Sequence, residues 1–166
     1  MSKAVMLSIR PKWVEKIASG EKTIEVRKTR PKLETPFKCY IYCTRCGVVP
    51  SAQKKQHGKV IGEFTCDAIT RVNICGFWDD SGKQLDNRLK DTCLTSEEFR
   101  NYLGENVGYG WHITDLRIYD APKCLFEFWA ERLCNREPSA FGCGECCDCD
   151  KRPPQSWCYV EEMKNV

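Results

Sequence analysis

The sequence contains no apolar run long enough to cross a bilayer, which argues against a helical membrane span. A secretory leader is missing too: Ala4 to Ile9 is too short for its apolar core, and Arg10 and Pro11 cut it off. A cytoplasmic protein is therefore expected. No internal repeat or long low-complexity segment is visible. Histidine is scarce, with two residues in 166: His57, in a polar turn, reads as solvated, and His112, on an apolar strand face, as a core residue. The net charge of +3 favours no class of partner by itself.

What is present is a hydrophobic fraction of 42% and an aromatic fraction of 11%, enough for a real core, in a length that suits a single domain over residues 1–166. The charge is unevenly placed. Residues 1–60 carry 14 Lys and Arg against 4 Asp and Glu, a balance of +10, and the remainder carries −7. Such a split suits a basic face that attracts phosphate, the alternative being lysines solvated on ordinary loops. The 13 cysteines are the other anomaly. In a reducing compartment clustered thiols point to metal rather than to disulfides. Cys143-x-x-Cys146 has the spacing with which two thiolates grip one tetrahedral zinc ion, Cys146-x-x-Cys149 repeats it, and Cys134 or Cys158 lies within reach in sequence. A structural zinc on Cys134, Cys143, Cys146 and Cys149 is the expectation, with Cys43-x-x-Cys46 a further pair; an iron–sulfur cluster and free thiols are the alternatives.

The stretch Met6 to Arg27 reads as strand, helix, strand. Pro11 suits a first helical position, Trp13, Val14, Ile17 and Ala18 recur at helical spacing, and Gly20 is a natural stop. Lys22, Glu25 and Arg27 then emerge around Ile24 and Val26, which alternate as a half-buried strand does. Further along, Lys38 to Thr44 alternates Cys39, Ile41 and Cys43 with Tyr40 and Tyr42, and either side suits the core. Lys59 to Val72 reads as a long or bent strand with Gly62 a candidate bulge, and Asn73 to Leu94 as an irregular excursion. Thr95-x-x-Glu98 is a capping-box pattern opening a second helix that Gly104 ends. Trp111 to Tyr119 reads as one strand, with Trp111, Ile113, Asp115, Arg117 and Tyr119 on one side. Leu125 to Leu133 is short helical or irregular, and Trp157 to Glu162 is a final strand.

The pattern spelled by Pro11, Trp13, Ile17, Gly20, Lys22, Glu25 and Arg27 resembles the signature of the ASCH domain. Lys38 to Thr44, Gly58 to Cys66, Gly108 to Asp120 and Arg152 to Glu162 are similar to segments of a phage and bacterial branch of that family. The resemblance implies an α+β fold: a PUA-like small mixed β-barrel with one or two helices. A cysteine-rich loop at about 134–150 would precede the closing strand 157–162. One branch of the family hydrolyses the acetyl amide of N4-acetylcytidine with a Lys–Thr–Glu set. This chain departs from it, with Glu25 where the threonine belongs and only Asp91 or Glu97 as distant carboxylates.

The expected function is a small RNA- or nucleotide-binding module with a basic cleft. There Lys22 and Arg27 meet phosphate or a base edge, Glu25 accepts from a base amine, and Trp13 or Tyr42 walls the pocket. One alternative is a hydrolase of modified nucleosides or of RNA in which Lys22 and Glu25 are catalytic. The other is a zinc-stabilised protein-interaction module.

Overall fold

The computed structural model describes residues 2–45, 56–85, 88–129 and 153–163. Its first strand, β1 (Lys3–Ile9), is buried along nearly its whole length, because both of its faces are covered. Val5, Leu7 and Ile9 point one way and Ala4 and Met6 the other, into two different apolar clusters. Helix α1 (Pro11–Ala18) follows, with proline in its first turn and Val14 and Ile17 buried. Gly20 takes the left-handed conformation (φ 77°) that ends it, which a side chain would resist. Then come β2 (Ile24–Arg27), β3 (Phe37–Cys43), β4 (Lys59–Cys66) and β5 (Ile69–Asn73). The short strands β6 (Gly76–Trp78) and β7 (Gln84–Leu85) precede a 3₁₀ turn at Leu89–Thr92 and helix α2 (Ser96–Leu103). The chain continues through β8 (Gly108–His112), β9 (Thr114–Cys124), a 3₁₀ turn at Leu125–Trp129 and β10 (Trp157–Glu161).

Among the described residues the strands form two five-stranded sheets, ordered β10-β1-β3-β4-β9 and β2-β8-β5-β6-β7. The α+β class matches the expectation, but the strands do not close into one barrel. The last strand pairs antiparallel with β1 and remains an edge. Among the described strands only β1 and β3 run parallel. The two sheets are joined by one ribbon that bends: β4 passes into β5 and β8 into β9, so β4–β9 pair in the first sheet and β5–β8 in the second. At the bend the His112 N–H donates to the Ala68 carbonyl at 3.0 Å and the Thr114 hydroxyl to the Thr65 carbonyl at 3.0 Å.

The main core lies between the sheets, where Val5, Leu7, Ile9, Ile41, Ile61 and Phe64 meet Ile69 and Trp111. A second cluster, with Met6, Tyr40, Tyr42 and Phe128, covers the far side of the first sheet. A third packs α2 through Phe99 and Leu103 onto Val26, Val72 and Phe77. Helix α2 starts with the expected capping box: the Glu98 N–H donates to Thr95 Oγ1 and the Thr95 N–H to the Glu98 carboxylate. Gly62 sits at a register shift, as anticipated, and a Cβ there would stand 2.5 Å from the Arg117 carbonyl oxygen.

Three expectations change. The excursion from Asn73 to Leu94 holds the β6–β7 hairpin and a 3₁₀ turn. Both faces of β3 are buried, since Tyr40 and Tyr42 pack as fully as Cys39 and Ile41. The strand drawn from Trp111 to Tyr119 is two strands that part at Ile113, and within the second of them Asp115 adopts a positive φ of 48° that breaks the alternation. Ile113 and Leu116 therefore face the inter-sheet core while Tyr119 faces the outer cluster. Cys46, Cys134, Cys143, Cys146 and Cys149 lie outside the described residues. Among the described residues no group of three metal-ligating side chains occurs, and no helix is long and apolar enough to cross a membrane.

Candidate nucleic-acid interface

Strand β2 begins where α1 stops. The turn at Gly20 folds back so that the Lys22 N–H donates to the Lys16 carbonyl at 2.9 Å, and Thr23 is pinned between the Asp91 carbonyl and the Ile113 N–H. The pleat then sends Ile24 and Val26 to one face and Glu25 and Arg27 to the other. Glu25 stands opposite Trp111 on β8, and Arg27 opposite Tyr109.

The three charged side chains converge, as the sequence suggests. Glu25 Oε2 lies 3.2 Å from Lys22 Nζ, and Glu25 Oε1 lies 3.0 Å from Arg27 Nη2. Lys22 is almost sealed, at 2% exposure, and its ammonium also donates to the carbonyls of Ile24 (3.0 Å) and Thr92 (2.6 Å). With Glu25, that accounts for three donors on three acceptors. The Trp13 ring covers it, with Lys22 Nζ 5.3 Å from the ring centre. Arg27 is tied at its far end: Nη2 donates to the Ser8 carbonyl at 2.8 Å, and Nη1 reaches the carbonyl and hydroxyl of Ser156 at 3.3 Å each. The side chains of Glu25 and Arg27 keep 9% and 8% of their surface open.

A buried ion triplet fixed this well holds β2 against β1 and the approach to β10. It also leaves something unsatisfied. Arg27 Nε and the indole Nε1 of Trp111 are buried donors with no hydrogen-bond partner among the described residues. Unmade buried hydrogen bonds cost about 1–3 kcal/mol each, so each of these two donors gains from an acceptor. The arrangement of Lys22, Glu25 and Arg27 carries a net charge of +1.

The other expected site residues are placed apart. Tyr42 belongs to the cluster on the far side of the first sheet, because β3 turns even-numbered residues away from the inter-sheet space. Asp91 pairs with Arg88 at 2.9 Å, and Glu97 is exposed on the first turn of α2, so neither carboxylate reaches Lys22. Thr23 is exposed, and the threonine of the Lys–Thr–Glu set is replaced by an ion-paired Glu25. Sequence reasoning missed Ser8, Thr92, Ser156, Tyr109 and Trp111, all brought in from distant segments. A separate cavity of about 230 Å³ lies between the β6–β7 hairpin and α2, lined by Asn73, Phe77, Gln84, Phe99 and Arg100 among others, and shares none of the triplet residues.

His112 is half-buried and hydrogen-bonds Thr70 Oγ1 at 3.4 Å, and burial holds its imidazole below the usual histidine range. Burial likewise pushes the Cys66 thiol up to about 12 and the Cys39 thiol well above its ordinary value, so neither is a ready nucleophile.

The ASCH domain family model matches residues 7–107. Among solved structures, the fold is similar to the crystal structure of ASCH from Zymomonas mobilis, with a TM-score of 0.64 and 21% identity over 96% of this chain and 88% of that one. It is equally similar to a tyrosine-to-phenylalanine mutant of that Zymomonas mobilis protein (TM-score 0.64, 20% identity, 97% and 92% covered). A serine-to-alanine mutant gives a TM-score of 0.63 and 19% identity, with 96% and 89% covered. At such identities the likeness bears on the fold alone. No curated protein matches the sequence. The family model spans more than half of the chain, and it falls on the strand–helix–strand unit that builds the triplet: the chain belongs to the ASCH domain family.

Proposed function

We propose that this protein is an RNA- or nucleotide-binding module whose ligand enters at the open edge of the Glu25–Arg27 pair. The observation that carries the reading is the pair of buried donors without a hydrogen-bond partner among the described residues, Arg27 Nε and Trp111 Nε1, beside a triplet of net positive charge. Phosphate and base carbonyl oxygens are the acceptors such donors suit. Glu25 has one lone pair on each oxygen to spare for a base amine. Lys22 acts through Glu25 rather than on the ligand, since its own donors are used internally. Trp13 shields that lysine, so its part is support as well. Membership of the ASCH family and the basic first third of the chain favour the same reading.

Fluorescence anisotropy with a labelled short RNA tests it. Binding weakens steeply as salt rises, and Arg27→Lys, which keeps the charge but lacks Nε, binds markedly less tightly while melting as a folded protein. Equal affinity for wild type and a folded Arg27→Lys would sink the proposal.

A further inference from the structure

Cross-strand register carries the site beyond Arg27. In the second sheet Arg27 stands opposite Tyr109, Tyr109 opposite Arg71, and Arg71 opposite Trp78. Directly opposed residues share a face, so four adjacent strands present guanidinium, ring, guanidinium, ring in one row. With strands about 4.8 Å apart, that row is about 14 Å long. The neighbouring row, Glu25, Trp111 and Ile69, is buried against the first sheet. The row beginning at Arg27 runs out from under that cover: Tyr109 and Trp78 are half-buried and Arg71 is exposed. The opposite face of the same strands is occupied, because Val26, Val72 and Phe77 pack beneath α2. A fifth residue completes the row, since the Arg30 guanidinium lies 5.9 Å from the centre of the Tyr109 ring. Arg30 is held there by an exposed contact of 3.4 Å with Asp80, which a competing phosphate displaces at little cost.

We infer that this row is a platform for single-stranded RNA, on which bases stack on Tyr109 and Trp78 while Arg71 and Arg30 meet the phosphates between them. Rings accept any base face and guanidinium groups follow the backbone, so the platform tolerates sequence and requires unpaired bases. A duplex keeps its bases stacked on each other and has none to offer. The inference rests on the proposed ligand entry at Arg27 and extends it from a single nucleotide to a strand running toward the β6–β7 hairpin.

The test compares one uridine monophosphate, a single-stranded ten-nucleotide RNA, the matching single-stranded DNA and the RNA duplex on the full chain. The single strands bind more tightly than both the mononucleotide and the duplex. Trp78→Leu and Tyr109→Leu each weaken the single strand by about 5–150-fold, with Tyr109→Phe close to wild type. Arg71→Gln lowers the salt slope by about 0.7. Mononucleotide affinity is unchanged in Trp78→Leu and Arg71→Gln, which also serves as the check that these variants fold. Mononucleotide binding with no gain for the longer strand refutes the platform and leaves the entry site standing. So does wild-type affinity for the single strand in both Trp78→Leu and Arg71→Gln, or a duplex bound as tightly as the single strand. Loss of binding to every probe refutes both readings.

Discussion

Glu25→Gln is the most severe small change the structure offers. Both carboxylate oxygens are engaged, at 3.2 Å from Lys22 and 3.0 Å from Arg27, and the side chain is 9% exposed. The amide keeps the shape and removes the charge, so two cations are left buried with nothing to neutralise them. Breaking a buried pair in this way costs about 3–5 kcal/mol, mostly as the penalty of the stranded charge. For a chain of this length each kcal/mol moves the melting temperature by about 2–4 °C, so the variant melts roughly 6–20 °C below wild type. Thermal unfolding followed by circular dichroism, with urea titration as a second measure, reads this directly. Salt restores little, because buried pairs are weakly screened. Combining Glu25→Gln with Lys22→Met loses less than the sum of the two single changes, since the second removes one of the stranded cations. A drop smaller than about 2 °C, or near-complete rescue by molar salt, would show that the triplet is neither tight nor buried.

Further outcomes follow from the same geometry. Gly62→Ala places a methyl group 2.5 Å from the Arg117 carbonyl oxygen, a backbone atom with little freedom, and lowers stability by about 1–3 kcal/mol in urea titration; a neutral result would mean that the bulge opens freely. On the far side of the first sheet, burial pushes the Glu63 carboxyl up, but hydrogen bonds from Lys38 (2.8 Å) and Tyr119 (2.7 Å) outweigh it and hold the group below its ordinary value of 4.5. A depressed carboxyl contributes stability that is complete above that ordinary value and is lost as pH falls through the lower folded one. Urea midpoints measured above and below pH 4.5 accordingly fall on acidification in wild type and fall less in Lys38→Met; equal slopes would contradict the assignment. The spacing of Cys134, Cys143, Cys146 and Cys149 predicts about one equivalent of zinc in protein purified under reducing conditions, and less than about a tenth of an equivalent refutes it.

Local signals in the chain proved legible because their physics is local. Pro11 and Gly20 bracket α1, Thr95 and Glu98 cap α2, and Gly62 marks a bulge, each through contacts within a few residues or a steric limit of the backbone. The meeting of Lys22, Glu25 and Arg27 was legible for the same reason: a helix stop and one strand pleat set it. What anchors the three was not. Ser8, Thr92 and Ser156 contribute backbone carbonyls, which carry no sequence signature, and Ser156 arrives from the far end of the chain. Tyr42 was misplaced because β3 is a central strand with both faces buried, so alternation alone does not say which cluster a ring joins. The positive φ at Asp115 escaped notice because a single left-handed residue leaves no periodic trace, yet Leu116 after it joins the inter-sheet core and Tyr119 the outer cluster. The Arg27–Tyr109–Arg71–Trp78 row needs the register of four strands, one of them only three residues long.

The central claim is that a ligand satisfies donors that have no partner among the described residues at the Arg27 end of β2. The most direct measurement is a proton–nitrogen spectrum in which Arg27 Nε–H and the Trp111 indole N–H are followed while uridine monophosphate or a short RNA is added. The account predicts that both resonances move in step with binding, while the Trp157 indole, already donating to Thr29 Oγ1 at 2.9 Å, shifts less. Saturating RNA that leaves Arg27 Nε–H and the Trp111 indole unmoved, with shifts confined to another face, would contradict it.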